Sequence, residues 1–181
     1  MKRTTLLLTL LLLCVLSYGV IGKKGESTSP AQEPREIRQQ RRAARQAAME
    51  REIDSLVEAR AFQFNPQTMT MEPTGRMTIL SNPNFELCVV DGMADIFLPV
   101  VKGIAPPYRH AIINATISLP NNYTSVRTDN GWHIEFSSSL YSATSYNFVM
   151  DVNSKFGTIT LLLENPWYNT MSYSGSITRI F

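Results

Sequence analysis

Past Arg60 the chain alternates apolar and polar residues in short runs, and turn-forming residues punctuate it roughly every 8 to 12 positions, the spacing of antiparallel β-structure. Candidate strands are Ala61–Phe64, Met69–Met71, Arg76–Leu80, Phe85–Val90, Ala94–Val101, His110–Leu119, Ser125–Thr128, Trp132–Ser137, Tyr146–Val152, Gly157–Leu163 and Ser172–Ile180. Successive side chains of a strand point to opposite faces, so Ala111, Ile113, Ala115, Ile117 and Leu119 share one side, away from His110, Asn114, Thr116 and Ser118. Trp132, Ile134 and Phe136 separate in the same way from His133 and Glu135. Tyr146, Phe148, Met150 and Val152 separate from Asn147 and Asp151, and Ile159, Leu161 and Leu163 from Thr158 and Thr160. One dry and one wet face predict a mainly β fold over 61–181: an antiparallel meander forming a barrel or a strongly curved sheet or sandwich.

The N-terminal part follows other periods. Lys2 and Arg3 precede an apolar run from Leu6 to Leu16, and small and polar residues follow, the three-part layout of a secretory signal over residues 1–22. The run is too short for a spanning helix, which needs about 20 apolar residues. Cys14 lies inside the apolar run with Leu13 before it, which disfavours a lipid-bearing cysteine. Residues 23–34, with Gly25, Ser27, Ser29 and Pro30, read as a flexible tether. From 35 to 60 there is no Gly or Pro, and Ala, Gln, Glu and Arg dominate, so a charged amphipathic helix is predicted, with Met49, Ile53, Leu56 and Val57 forming one apolar stripe.

Charge sharpens this boundary. Residues 23–60 hold nine basic and seven acidic residues, whereas the longer stretch 61–181 holds six and eight. Removal of the signal leaves 15 of each sign and one cysteine, Cys88, so no intramolecular disulfide can form and the mature domain must rest on buried apolar area. Arg38, Arg41, Arg42 and Arg45 share a helical face that can meet anionic lipid headgroups. The same turns lack large apolar residues to insert, which favours a solvated face. Nucleic acid is not expected as a partner of an exported chain.

Several short motifs carry a resemblance. The Arg/Ala-rich helix ending in Asp54-Ser55-Leu56, the segment Ser81-Asn82-Pro83-Asn84-Phe85 with Val89, the Asp91-Gly92 turn, Ala94 and Leu98-Pro99 together resemble the domain of unknown function 4251 family of exported bacterial proteins, over about residues 35–181. The resemblance implies export, periplasmic or secreted, in a Gram-negative anaerobe, and a β-rich domain. It brings no catalytic residue with it.

Motifs for chemistry are sparse. His133-Ile134-Glu135 copies half of a zinc-deaminase signature, but the Pro-Cys-x-x-Cys half is missing. There is no Gly-x-Ser-x-Gly elbow, phosphate loop or dinucleotide fingerprint. Asp91 and Asp95 suggest a carboxylate pair, yet Asp91-Gly92 reads as a tight hairpin turn. No enzyme, cofactor or metal is therefore expected. Trp132, Phe136, Tyr146 and Phe148 fall on interior faces, where they either fill the lumen or line a cavity for a small apolar ligand or peptide. Trp167-Tyr168 is a candidate contact patch. The function expected is a non-catalytic binding module, with a cell-envelope interaction domain positioned by its helix as the alternative.

Overall fold

The structure is a computed structural model that describes residues 33–103, 105–119, 123–140, 144–166 and 169–180. The proposed signal, Cys14, most of the tether and Trp167-Tyr168 lie outside these residues. The chain separates into two compact units, residues 1–40 and 41–181. The described part of the first is the opening of helix α1, Glu33–Glu58, which begins two residues before the expected start and places Pro34 in its first turn. The second unit holds the rest of α1 and ten strands: β1 Phe62–Glu72, β2 Arg76–Ile79, β3 Glu86–Val90, β4 Met93–Lys102, β5 Arg109–Ser118, β6 Thr124–Thr128, β7 Gly131–Leu140, β8 Thr144–Asn153, β9 Thr158–Glu164 and β10 Thr170–Thr178.

All pairings are antiparallel, in the order β5-β4-β3-β1-β10-β9-β8-β7-β6, with β2 beside β1. The expected meander holds for β3 to β5 and for β6 to β10, but β1 departs from it. One edge of β1 pairs along its length with the last strand, β10, while the other pairs with β3 through Phe62–Phe64 and with β2 through Thr68–Met71. The strand path is open, ending at β5 and β6. Laid flat, its eight inter-strand spacings of about 4.8 Å would put those ends nearly 40 Å apart. Ser118 closes β5 and Thr124 opens β6, and six residue steps reach at most about 20 Å. The sheet must therefore curve strongly, and of the two expected forms it takes the curved sheet and does not close into a barrel.

Local chemistry explains the irregular places. Pro66 cannot donate to a ladder, and the register slips between Pro66 and Thr68, leaving Gln67 as a bulge whose carbonyl accepts from the Leu80 amide at 2.8 Å. Opposite it stands Gly175, where a Cβ would lie 2.0 Å from the Asn65 carbonyl oxygen, so only glycine fits. Asp91 (φ 51°) and Gly92 (φ 74°) form the two-residue link between β3 and β4, with both residues left-handed as the primed hairpin turn requires.

The predicted dry face is the interior. Ile113, Ile134, Phe136, Phe148, Met150, Leu161 and Tyr173 join a single apolar cluster that also takes in Ile53, Leu56 and Val57 of α1. Met49 stays half exposed and rests its methyl against Gly157. The helix ends in two reverse bonds, Ala61 N–H to Leu56 and Arg60 N–H to Val57, both 3.1 Å, with Arg60 left-handed at φ 50° where glycine is usual. Its guanidinium sits 4.6 Å above the Tyr123 ring, a contact that offsets part of the backbone cost.

Candidate functional site

The four aromatics singled out from sequence are all inward and nearly inaccessible: Trp132 9%, Phe136 1%, Tyr146 4% and Phe148 0% exposed. Phe136 stacks on Phe148 at 4.8 Å and on Tyr123 at 5.9 Å, so these rings touch one another. Trp132 serves α1 instead. Its indole N–H donates to Asp54 Oδ1 at 2.9 Å, and Ser154 donates to the same oxygen at 2.8 Å. Arg127 meets Asp54 Oδ2 at 2.7 Å and lies 5.4 Å over the Trp132 ring. Burial alone would raise the Asp54 pKa, but the bonds from Trp132, Arg127 and Ser154 and the Arg127 charge outweigh it and hold the carboxyl below its usual value. These contacts pin the helix to β6, to β7 and to Ser154 just past β8.

Two small recesses border the core: one of about 10 Å³ is lined by Val100, Tyr146, Leu163 and Met171 with Lys102, Asn165 and Asn169, and one of about 20 Å³ by Met69, Met71, Val101 and Tyr108 with Arg76, Thr78 and His110. Each has room for about one water. Tyr173, fully buried on β10, crosses the interior to donate to the Pro99 carbonyl of β4 at 2.5 Å, and burial pushes its phenol far up. Tyr123 is also buried, its hydroxyl meets no hydrogen-bond partner among the described residues, and burial raises its pKa to about 12.

Ligand-sized space lies on the outer, wet face. One recess of about 530 Å³ is lined by Glu135, Ser137, Asn147, Glu164, Asn165 and Thr170, and Tyr146, alone of the four expected aromatics, also borders it. Within it Asn147 bridges Glu135 at 3.5 Å and Glu164 at 3.3 Å, so its polar groups largely answer one another. A second, of about 460 Å³, is lined by Pro83, Asn84, Glu86, Asp95, Ile96, Phe97 and Asn114. Glu86, Phe97 and Asn114 are direct neighbours in one cross-strand row over β3, β4 and β5. Phe97 is half-buried and leans on Phe85, with ring centres 5.6 Å apart and planes tilted by 32°. Gln63 donates to Glu86 Oε2 at 2.6 Å and to Asn65 at 3.0 Å, and Thr116 donates to Asp95.

The other sequence candidates occupy separate places. His133 pairs with Asp151 at 2.7 Å on the wet face, and Glu135 lies beside Asn147. Among the described residues no three or more His, Cys, Asp and Glu side chains converge as a metal site would require. Asp91 is in the hairpin turn while Asp95 lines the recess. Arg38, Arg41, Arg42 and Arg45 are exposed along α1. Phe97 was the missed signal: an aromatic residue at the outward parity of a strand, between Asp95 and Pro99.

A model of the family described as "Domain of unknown function (DUF4251)" matches residues 44–177. The chain is also similar to a solved structure, that of a DUF4251 family protein from Bacteroides eggerthii DSM 20697, with 16% identity and a TM-score of 0.57 over 74% of this chain and 91% of that one. At that identity the likeness speaks for the fold. No curated protein matches the chain.

Proposed function

The chain belongs to the DUF4251 family of domains of unknown function, and from its own geometry we propose that it is an exported, non-catalytic binding module whose ligand is met on the outside of the sheet. The observation that carries this reading is the contrast between the two faces. Phe136 stacks between Phe148 and Tyr123, filling the space around it, whereas the outer face holds recesses of about 460 and 530 Å³. Pockets for small ligands run from roughly 300 to 1,000 Å³, and both outer recesses fall in that range. The charged and apolar layout of residues 1–22 supports export to the periplasm or beyond. The test is native mass spectrometry of protein purified from its own host, followed by amide chemical-shift mapping of any molecule that copurifies. Shifts clustered on outer-face strand positions support the proposal; shifts centred on Trp132, Phe136 and Phe148 refute it.

A second reading, an envelope interaction domain, is favoured by α1. Every residue from Arg35 to Met49 is exposed, and Arg38, Arg41, Arg42 and Arg45 recur at helical spacing. Pull-down from envelope extracts with full-length protein and with the four arginines changed to glutamine tests it, since identical partner sets remove the helix from consideration.

A further inference from the structure

We propose that the recess between the 83–85 loop and strands β3 to β5 is a binding site for the ring of a neutral carbohydrate, an inference that deepens the outer-face reading above and rests on it. The recess combines a ring platform with groups that match vicinal hydroxyls. Phe97 stands between Glu86 on one neighbouring strand and Asn114 on the other, with Phe85 against its side. A sugar ring has an apolar face of C–H groups suited to such a platform, and its rim of hydroxyls both donates and accepts. Glu86 and Asp95 offer acceptors, while the amides of Asn84 and Asn114 supply both kinds of group.

The acceptors are also held in place. The Gln63 bond engages one Glu86 oxygen, and Gln63 belongs to a chain running through Asn65 to Thr178. The Thr116 hydroxyl engages one Asp95 oxygen. Each bond fixes a side chain before any ligand arrives, which reduces the ordering cost of binding. The sign of the site narrows the ligand further. Two carboxylates face the recess, and no Lys or Arg lines it. The Cys88 thiol beside them is pushed up by burial and then by the Glu86 and Asp95 charges, in keeping with a negative potential that repels anions. Sugar acids and phosphorylated sugars are therefore poor ligands. Pro83 and Asn84 line the recess from the loop side, with Phe85 behind them against Phe97.

The test is an amide chemical-shift titration of the full-length mature protein with glucose, galactose, N-acetylglucosamine and fucose, and with glucuronate and spermidine as charged controls. The expected result is a neutral sugar that moves the amides of Asn84, Glu86, Asp95, Phe97 and Asn114, with millimolar affinity. Asp95→Asn and Phe97→Ala should each weaken it about tenfold or more, while Asp129→Asn in the exposed β6–β7 turn, outside both recesses, binds as the natural protein does. Asp95 is exposed, so its variant stays informative if Phe97→Ala fails to fold. The proposal is overturned if none of the four sugars perturbs these amides, if glucuronate or spermidine binds there in preference, or if Asp95→Asn binds unchanged. A copurifying molecule that is not a sugar, yet shifts these same amides, would remove the carbohydrate and leave the outer-face reading standing.

Discussion

Replacing Asp54 by alanine should loosen α1 from the sheet by an amount the structure allows to be worked out. Two donors lose their acceptor: the Trp132 indole N–H and the Ser154 hydroxyl, on residues 9% and 1% exposed. A buried donor left unpaired costs about 1–3 kcal/mol, so the two together predict a loss of about 2–6 kcal/mol. Arg127 adds little, because its side chain is half exposed and water replaces the carboxylate. Urea unfolding followed by far-UV circular dichroism measures the loss as a lowered midpoint with an unchanged slope. In the Asp54→Ala background, Ser154→Ala should cost clearly less than in the natural protein, because the hydroxyl it removes is already an orphan. Additivity of the two changes to within about 0.5 kcal/mol would refute the shared-acceptor argument. The pH dependence has a definite sign. The folded Asp54 pKa lies below its ordinary value of 3.8, so the unfolded chain binds more protons between the two values. The contribution of this carboxylate is complete above 3.8 and is lost as pH falls through the folded value, and Asp54→Asn should flatten that part of the acid unfolding profile.

The two buried tyrosines should respond oppositely to loss of their hydroxyls. Tyr123→Phe removes an unpartnered group and should leave stability unchanged or raise it by about 1 kcal/mol, whereas Tyr173→Phe breaks the bond to Pro99 and should lower it by about 1–2 kcal/mol, both read by thermal unfolding. Gly175→Ala drives a methyl into the Asn65 backbone and should destabilise by about 3 kcal/mol or more, with lost amide protection in β1 and β10 by hydrogen exchange. Phe136→Ala opens a hole between Tyr123 and Phe148 and should cost about 3–5 kcal/mol in a urea titration.

The alternation of residues made most strands legible, because inward parity is a local property. His110–Leu119 reads as β5 within a residue at each end, and Ser125–Thr128 as β6 within one. Ala61–Phe64 and Met69–Met71 look like two strands because Pro66 interrupts the ladder, and only the bulge opposite Gly175 joins them into β1. Parity states which face a residue takes but not which strand lies alongside, so the pairing of β1 with β10 had no local signal. The site was harder still. Glu86 and Asn114 look like ordinary wet-face residues until the register sets them on either side of Phe97. Asp54 shows a comparable limit, since a polar residue beside the apolar stripe gives no hint of a tryptophan 78 positions away.

The seam between β1 and β10 also sets an order of events during folding. The segment that seals the long edge of the first strand, residues 170–178, is synthesised after the other nine described strands, so a nascent chain lacking it cannot complete the sheet. Closure across more than a hundred residues carries a large loop entropy and makes for slow folding, on the millisecond-to-second scale of non-local β proteins. Until residues 170–178 dock, the first strand presents an unpaired edge that a second chain or a holding chaperone can grip.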